Sequence, residues 1–279
     1  MGGAAGAVYP FARAGRHDGD DDRVCTVVVR WSPDGPTRIL ALRDELTGRD
    51  FDDPAPWWPD LPDVIGGRDR AAGGTWCATR VTTGATALVL NRPEKPTADK
   101  GAPSRGVLPL LAAVHGAEWT ASVDLAGMAS FTLVLATSQR LTSWVFDGRD
   151  VAVTDHPGAT HMFTSGGPEN GKVEAFLSVF RDAGYPDGWR QLLRRGPPRD
   201  DPSALVVRHP TGNGREFAHC SASASRPNQA GCGWTAADRC EATNRGRPSP
   251  LADSERCLTA SAAASARRCS VRRPRRDPR

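Results

Sequence analysis

The sequence predicts a layered α+β domain, on three observations. Segments rich in Val, Leu, Thr and aromatic residues come in consecutive strand-like pairs, and only two segments carry helical spacing. Short turn signals ("SPDGPT", "TTGA", "FDGRD") separate the strands where a parallel sheet would need long crossovers. Strands in pairs followed by helices argue for stacked layers and against a regular βαβ repeat.

Taken in order, strands are predicted at Cys25–Trp31, Arg38–Leu42, Trp76–Thr79, Thr86–Leu90, Phe131–Thr137, Leu141–Phe146 and Ala204–Arg208. Helices are predicted at Arg105–His115 and Lys172–Ala183. The second carries Val173, Phe176, Leu177 and Phe180 on one face, behind "GGPENG". The folding domain therefore spans residues 24–219. Residues 1–23 are Gly/Ala-rich and then acidic, without an apolar period, and are expected to be disordered. In residues 220–279 the large apolar groups are Trp234, Leu251, Leu258 and Val271. This stretch reads as a disordered tail of the kind that out-of-frame translation of GC-rich DNA produces, with the true frame lost near Ala218.

Composition narrows the function classes. Residues 220–279 hold 12 Arg against 5 acidic residues, a balance of +7 that leaves −3 for residues 1–219 out of a net +4. The basic character thus belongs to the tail and says nothing about a basic groove on the folded part. Lysine is confined to Lys95, Lys100 and Lys172, which reads as the codon bias of a GC-rich bacterial genome. No run approaches the ~18 apolar residues of a spanning helix. The first twenty residues do not read as a secretory signal, so a cytoplasmic protein is expected. Five of the seven Cys lie in the tail at spacings that match neither a zinc site nor a disulfide scaffold. Cys25 and Cys77 are the domain's thiols, and a reducing compartment suits them.

If "PDGP" (Pro33 to Pro36) is the turn after the first strand, partner numbers sum to 69 and Cys25 falls opposite Asp44, between Arg43 and Glu45. Opposed residues hold their Cβ atoms ~4.5–5.5 Å apart, so the pairing would deliver "RDE" to the thiol. A slip of one residue exchanges Asp44 for Arg43 or Glu45. A thiol attacks as thiolate, which a guanidinium favours, and a carboxylate can hold that guanidinium. Taken alone, a strand cysteine is more often inert core.

Four segments shift that balance: "ALRDE" (Ala41–Glu45), "GGRDRAAGGTW" (Gly66–Trp76), "ALVLNRPE" (Ala87–Glu94) and "SRGVL" (Ser104–Leu108). In this order behind "VCTVV", they resemble the NRDE-motif family, which includes the animal transport and Golgi organisation protein two. The resemblance runs from Val24 to about Ala218. It implies a four-layer αββα sandwich of the N-terminal-nucleophile (Ntn) hydrolase-like kind. In active relatives of that fold a Cys freed at the amino terminus attacks an amide carbonyl, with its own α-amine as base. The resemblance matches Cys25 to the nucleophile, Arg43 to its neighbouring arginine and Asp44 to the acid that orients the amine. Asn91 corresponds to a donor of the oxyanion hole. Ser165 stands where relatives carry a second Asn, and Leu42 where the motif begins with Asn. An α-amine with a pKa near ~8 can take the thiol's proton at cell pH. Val24 is a residue that a GTG initiator codon would write, so a start there followed by Met removal would free Cys25. A propeptide cut at the same place would do likewise. The late segment "REFAHCSASAS" departs from the family pattern, so the closing strands are expected to be missing.

The ligand implied is a small amide or lipid-like molecule, with no cofactor. The alternative implied by some animal and worm members is a non-catalytic carrier of haem or lipid. A third reading, a nucleic-acid partner for the Arg-rich tail, is the weakest. His156 and His161 flank "PGAT" without a third ligand and are read as loop-shaping. His115 is read as a charge partner for the end of its helix. The glycines of "GGRDRAAGG" lack the ending of a phosphate loop. Trp57 and Trp58 read as loop anchors or as the lining of a ligand mouth.

Overall fold

A computed structural model of the chain describes residues 25–43, 50–168, 170–193 and Leu205, together with the backbone of 44–46, 194–195, 209–210, 216–225 and 233–237. These residues lie in one compact unit, Met1–Glu241. Thirteen strands and three α-helices are formed among them. In chain order the strands are β1 (Thr26–Trp31), β2 (Arg38–Leu46), β3 (Phe51–Ala55), β4 (Val64–Asp69), β5 (Cys77–Arg80), β6 (Thr86–Asn91), β7 (Phe131–Ala136), β8 (Leu141–Phe146), β9 (Val151–His156), β10 (Ala159–Thr164), β11 (His209–Pro210), β12 (Glu216–Ser225) and β13 (Gly233–Ala237). The helices are α1 (Leu108–His115), α2 (Gly171–Asp182) and α3 (Asp187–Arg195).

All pairings are antiparallel. One sheet runs β10-β1-β2-β12-β11, with β13 also on β12; the other runs β3-β4-β5-β6-β7-β8-β9. Strand alternation sorts the side chains into three apolar layers. Val27, Val29, Trp31, Ile39 and Ala41 of the first sheet pack against Cys77, Leu88, Leu90, Val134 and Leu141 of the second. Val28, Leu40 and Leu42 turn the other way, onto Phe180 of α2 and Trp189 of α3. On the outer side of the second sheet, Ala87, Phe131, Leu133 and Trp144 meet Leu108, Leu111 and Ala112. The layers therefore run helix, sheet, sheet, helix, and the mixed α+β class holds.

The hairpin register corrects the sequence reading. Thr26 pairs with Leu42 and Arg30 with Arg38, so partner numbers sum to 68 and not 69. The connection is centred on Asp34 because the tight turn closes from Gly35 N–H to the Ser32 carbonyl at 3.3 Å, and Pro36 has no N–H to extend the ladder. The break expected at residue 219 falls inside β12, whose backbone pairs with β2 as far as Ser225 opposite Arg38. In place of missing closing strands, β12 and β13 extend the first sheet. Of the strand expected over 204–208, Leu205 is described, as a buried bend. The expectations for residues 1–23, and for the tail beyond β13, lie outside the described residues.

Arg30 and Arg38 are direct cross-strand partners, a pairing that repels unless each charge has its own sink. Arg38 lies over the Tyr185 ring, 5.8 Å from its centroid. Arg30 caps α2: Nη2 donates to the carbonyls of Phe180, Arg181 (3.0 Å) and Ala183 (3.0 Å), and Nε to Thr160 Oγ1 at 3.1 Å. A cation on the negative end of a helix is favourable, and carbonyls at a helix end need donors. Arg30→Met should therefore cost about 1–3 kcal/mol in urea unfolding. A loss below ~0.5 kcal/mol would show that water replaces the cap at no cost.

Candidate functional site

Cys25 begins the first described stretch, one residue ahead of β1. It is partly buried and packs against the apolar layer between the sheets. Its carbonyl accepts from Ser165 N–H at 3.1 Å, which carries the β1–β10 ladder one step past Thr26 and Thr164. On the other side, the register Thr26–Leu42 places Arg43, and not Asp44, opposite Cys25 when the ladder is continued. Arg43 follows Ile39 and Ala41 on the inter-sheet face, and its guanidinium stacks on the Trp76 ring at 4.3 Å. Asp44 is the next β2 residue, opposite His219 of β12.

This spot is one end of the apolar layer that the two sheets share. At the far end Trp31 Nε1 donates to the Thr137 carbonyl (3.0 Å), tying the end of β1 to the end of β7. The near end therefore brings Cys25 alongside the start of β7. There Arg92 reaches across from the end of β6: Nη1 contacts Thr132 Oγ1 at 3.5 Å, and the guanidinium faces Gly167, just beyond Ser165. The Glu94 carboxylate grips Arg92 from behind, which holds that carboxyl below the usual range against the opposing effect of burial. Ser165 is 6% exposed, and its Oγ is buried without a hydrogen-bond partner among the described residues. An unspent buried hydroxyl costs about 1–3 kcal/mol, a cost that a bound polar atom removes.

Asn91 sits elsewhere. It pairs with Phe131 and follows Ala87 and Val89, so alternation puts it on the α1 side of β6, where it is exposed. The structure thus gathers Cys25, Arg43 and Ser165 and does not bring Asn91 onto their face. Sequence reasoning passed over Trp76 and Arg92 as individual residues, although both stand inside the motifs that carried the resemblance. Cys77 is buried between the sheets, and burial drives its thiol pKa far above the ordinary value, so it is inert.

Much of the motif set turns out to be scaffold. Asp69 Oδ1 accepts from Ala71 (2.9 Å) and Ala72 (3.2 Å) N–H, closing the turn in "GGRDRAAGGTW". Thr75 Oγ1 donates to the Cys77 carbonyl at 2.8 Å, and Thr75 N–H donates to the Gly106 carbonyl at 2.8 Å. These bonds lock "GGTW" onto "SRGVL" and present Trp76 to Arg43. Gly74 and Gly106 let two backbones cross.

His156 and His161 form a pair at the β9–β10 corner, with ring centroids 5.1 Å apart. His156 Nε2 lies 2.8 Å from Ser143 Oγ, and His161 Nε2 donates to the Pro157 carbonyl at 2.7 Å. Burial, and then the His161 charge, lower the His156 pKa, while Asp155 opposes both. A histidine whose folded pKa is depressed is kept neutral by the fold, so stability is complete above the unfolded pKa near ~6.5 and declines as pH falls below it. The melting temperature should drop between pH ~6.5 and 5, and His156→Gln should flatten that slope. An unchanged slope in the variant would assign the pH dependence to other groups.

Among the described residues no helix is long and apolar enough to cross a membrane. The class these layers define is a mixed α+β protein built on two large antiparallel sheets. Residues 25–181 match the Transport and Golgi organisation 2 family, and the chain belongs to that NRDE family. No curated protein matches the chain.

Proposed function

We propose that the chain is a cysteine hydrolase of the Ntn type, acting on a non-peptide amide bond through Cys25. One observation supports this most directly: Cys25 is held at the end of the inter-sheet layer between Arg43 and Ser165, whose buried hydroxyl has no partner among the described residues. The family match beginning at residue 25 agrees with it. In this reading the Cys25 thiol passes its proton to its own α-amine, and the sulfur attacks the amide carbonyl. The Ser165 hydroxyl donates to the oxygen that gains charge, and Arg43 favours the thiolate. Asp44, as the residue that orients the amine, and Asn91, as a further donor, rest on the family resemblance and not on this geometry. A reducing, cytoplasmic compartment belongs to the same proposal, because the thiol must stay reduced.

The reading requires a mature chain that starts at Cys25. Intact mass of the native protein should show that start, and such protein should release p-nitroaniline from N-acyl-p-nitroanilides. A chain that keeps a residue ahead of Cys25 would overturn it.

The carrier reading rests on a different feature, an open groove of about 500 Å³ along α2 lined by Val173, Leu177, Glu174 and Arg181. Among the described residues its lining holds no imidazole, thiolate or thioether, so these residues do not fit a ligated haem; an acyl chain with a polar head suits them better. Haemin titration should show no saturable Soret shift. A shift that saturates at one equivalent would favour the carrier.

A further inference from the structure

A guanidinium carries five N–H donors in one plane, and those of Arg92 are used unevenly. Glu94 takes the Nε side: Nε lies 3.0 Å from each carboxylate oxygen, and Nη2 donates to Oε1. Nη1 reaches Thr132 Oγ1 at 3.5 Å, the long limit of a hydrogen bond. The edge formed by Nη1 and Nη2 therefore keeps N–H groups without a near acceptor among the described residues. The side chain is only 16% exposed, so water has little access to satisfy them. That edge faces Gly167, where a Cβ would lie 3.7 Å from Nη1 and 3.9 Å from Nη2. Gly167 has a φ of +82°, a conformation that favours glycine, so no side chain fills the space beside the fork. The same glycine closes the turn that carries Ser165. Its N–H donates to the Thr164 carbonyl at 3.0 Å, and Thr164 Oγ1 donates back to the Gly167 carbonyl at 2.7 Å. One tight turn thus sets Gly167 within about 7 Å of Ser165, whose buried hydroxyl is also unspent among the described residues.

We infer that the substrate amide bears a carboxylate about three chain atoms from its carbonyl, held by the Nη1–Nη2 edge of Arg92 while the amide oxygen meets Ser165. This rests on the hydrolase reading above and names the substrate class of the same site. A planar fork meets a carboxylate in two parallel charge-assisted bonds, which an uncharged chain cannot make. Glu94 fixes the direction of the fork from behind, so little side-chain freedom is lost when the anion arrives. The spacing follows from the turn, because about three chain atoms between carbonyl and carboxylate span the gap from Ser165 to Gly167. The carboxylate belongs either to the acyl group or to the amine that leaves, and the chemistry at Arg92 is the same for both.

Calorimetric titration of the full chain carrying Cys25→Ala tests binding without turnover. Glutaramic acid presents the carboxylate on the acyl side and N-acetyl-β-alanine on the amine side; butyramide and N-ethylacetamide are their uncharged counterparts. One of the two acids should bind at least about tenfold tighter than its counterpart, and that one names the side. Arg92→Gln should abolish the gain, and Arg92→Lys, which keeps the charge but not the fork, should keep only part of it. With the acyl side named, the wild type should cleave glutaryl-p-nitroanilide about 10- to 100-fold faster in kcat/KM than butyryl-p-nitroanilide, and Arg92→Gln should bring that ratio to about one. No gain for either acid overturns the inference, whatever the turnover. A gain that survives Arg92→Gln overturns the assignment to Arg92. A gain that depends on Arg92 in a protein that cleaves no anilide upholds the carboxylate site and overturns the hydrolase reading instead.

Discussion

Gly74→Ala should be among the most damaging single-methyl changes in the domain, costing about 3 kcal/mol or more. A Cβ at residue 74 would lie 2.6 Å from the carbonyl carbon and oxygen of Gly106 and 2.9 Å from its Cα. All three are backbone atoms, so no rotamer change relieves the clash. Movement of the crossing is opposed from two sides. Thr75 N–H is bonded to the Gly106 carbonyl at 2.8 Å, and the Gly74 carbonyl accepts from Asp69 N–H at 2.9 Å. Separating the chains would break those bonds and draw Val107 and Leu108 of the α1 layer away from the sheet. The measurement is urea unfolding, with the midpoint lowered and the slope retained. Gly101→Ala is the control. Its φ of +92° strains any side chain, but no atom lies within 4 Å, so it should cost only about 1–2 kcal/mol. Equal losses in the two variants would mean that backbone conformation matters at residue 74 and the close crossing does not.

Cys25→Ala should abolish amide hydrolysis, with a fall of at least ~10³-fold in kcat/KM, while leaving the melting temperature within a few degrees. The asymmetry follows from placement. Cys25 is only partly buried at the end of a strand, so losing one sulfur opens little cavity, whereas the proposed chemistry has no other accessible thiol among the described residues. Iodoacetamide should therefore modify Cys25 in the folded protein and leave the deeply buried, high-pKa Cys77 untouched. Cys25→Ser separates nucleophile from shape, since a hydroxyl is isosteric and far less reactive at neutral pH. Full activity in the alanine variant would remove Cys25 from the mechanism. Modification of Cys25 without loss of turnover would do the same.

Where one face of an element is apolar, its pattern alone locates it. β1, β2 and β5 to β8 were legible because Val, Leu and aromatic residues recur along them, and α2 because Phe176 and Phe180 share a face. The same spacing of Trp189, Leu192 and Leu193 encodes α3. β3, β4, β9 and β10 were not legible. "FDDPA" carries a proline, "VIGGRD" a glycine pair and "VAVTDH" an almost wholly exposed strand, and each is extended because a neighbour supplies its hydrogen bonds.

The candidate site divides along the same line. Cys25 and the charged cluster on the next strand were readable, since both follow from a hairpin. Which charge faces the thiol was decided by one tight turn, which moved the register by one residue and exchanged Asp44 for Arg43. The stacking of Arg43 on Trp76, the reach of Arg92 towards Gly167 and the outward position of Asn91 depend on how two sheets lie on each other. Residue order along the chain encodes which faces seek burial, within a few residues at a time. Distances between residues fifty or more positions apart arise only when those faces close on one another.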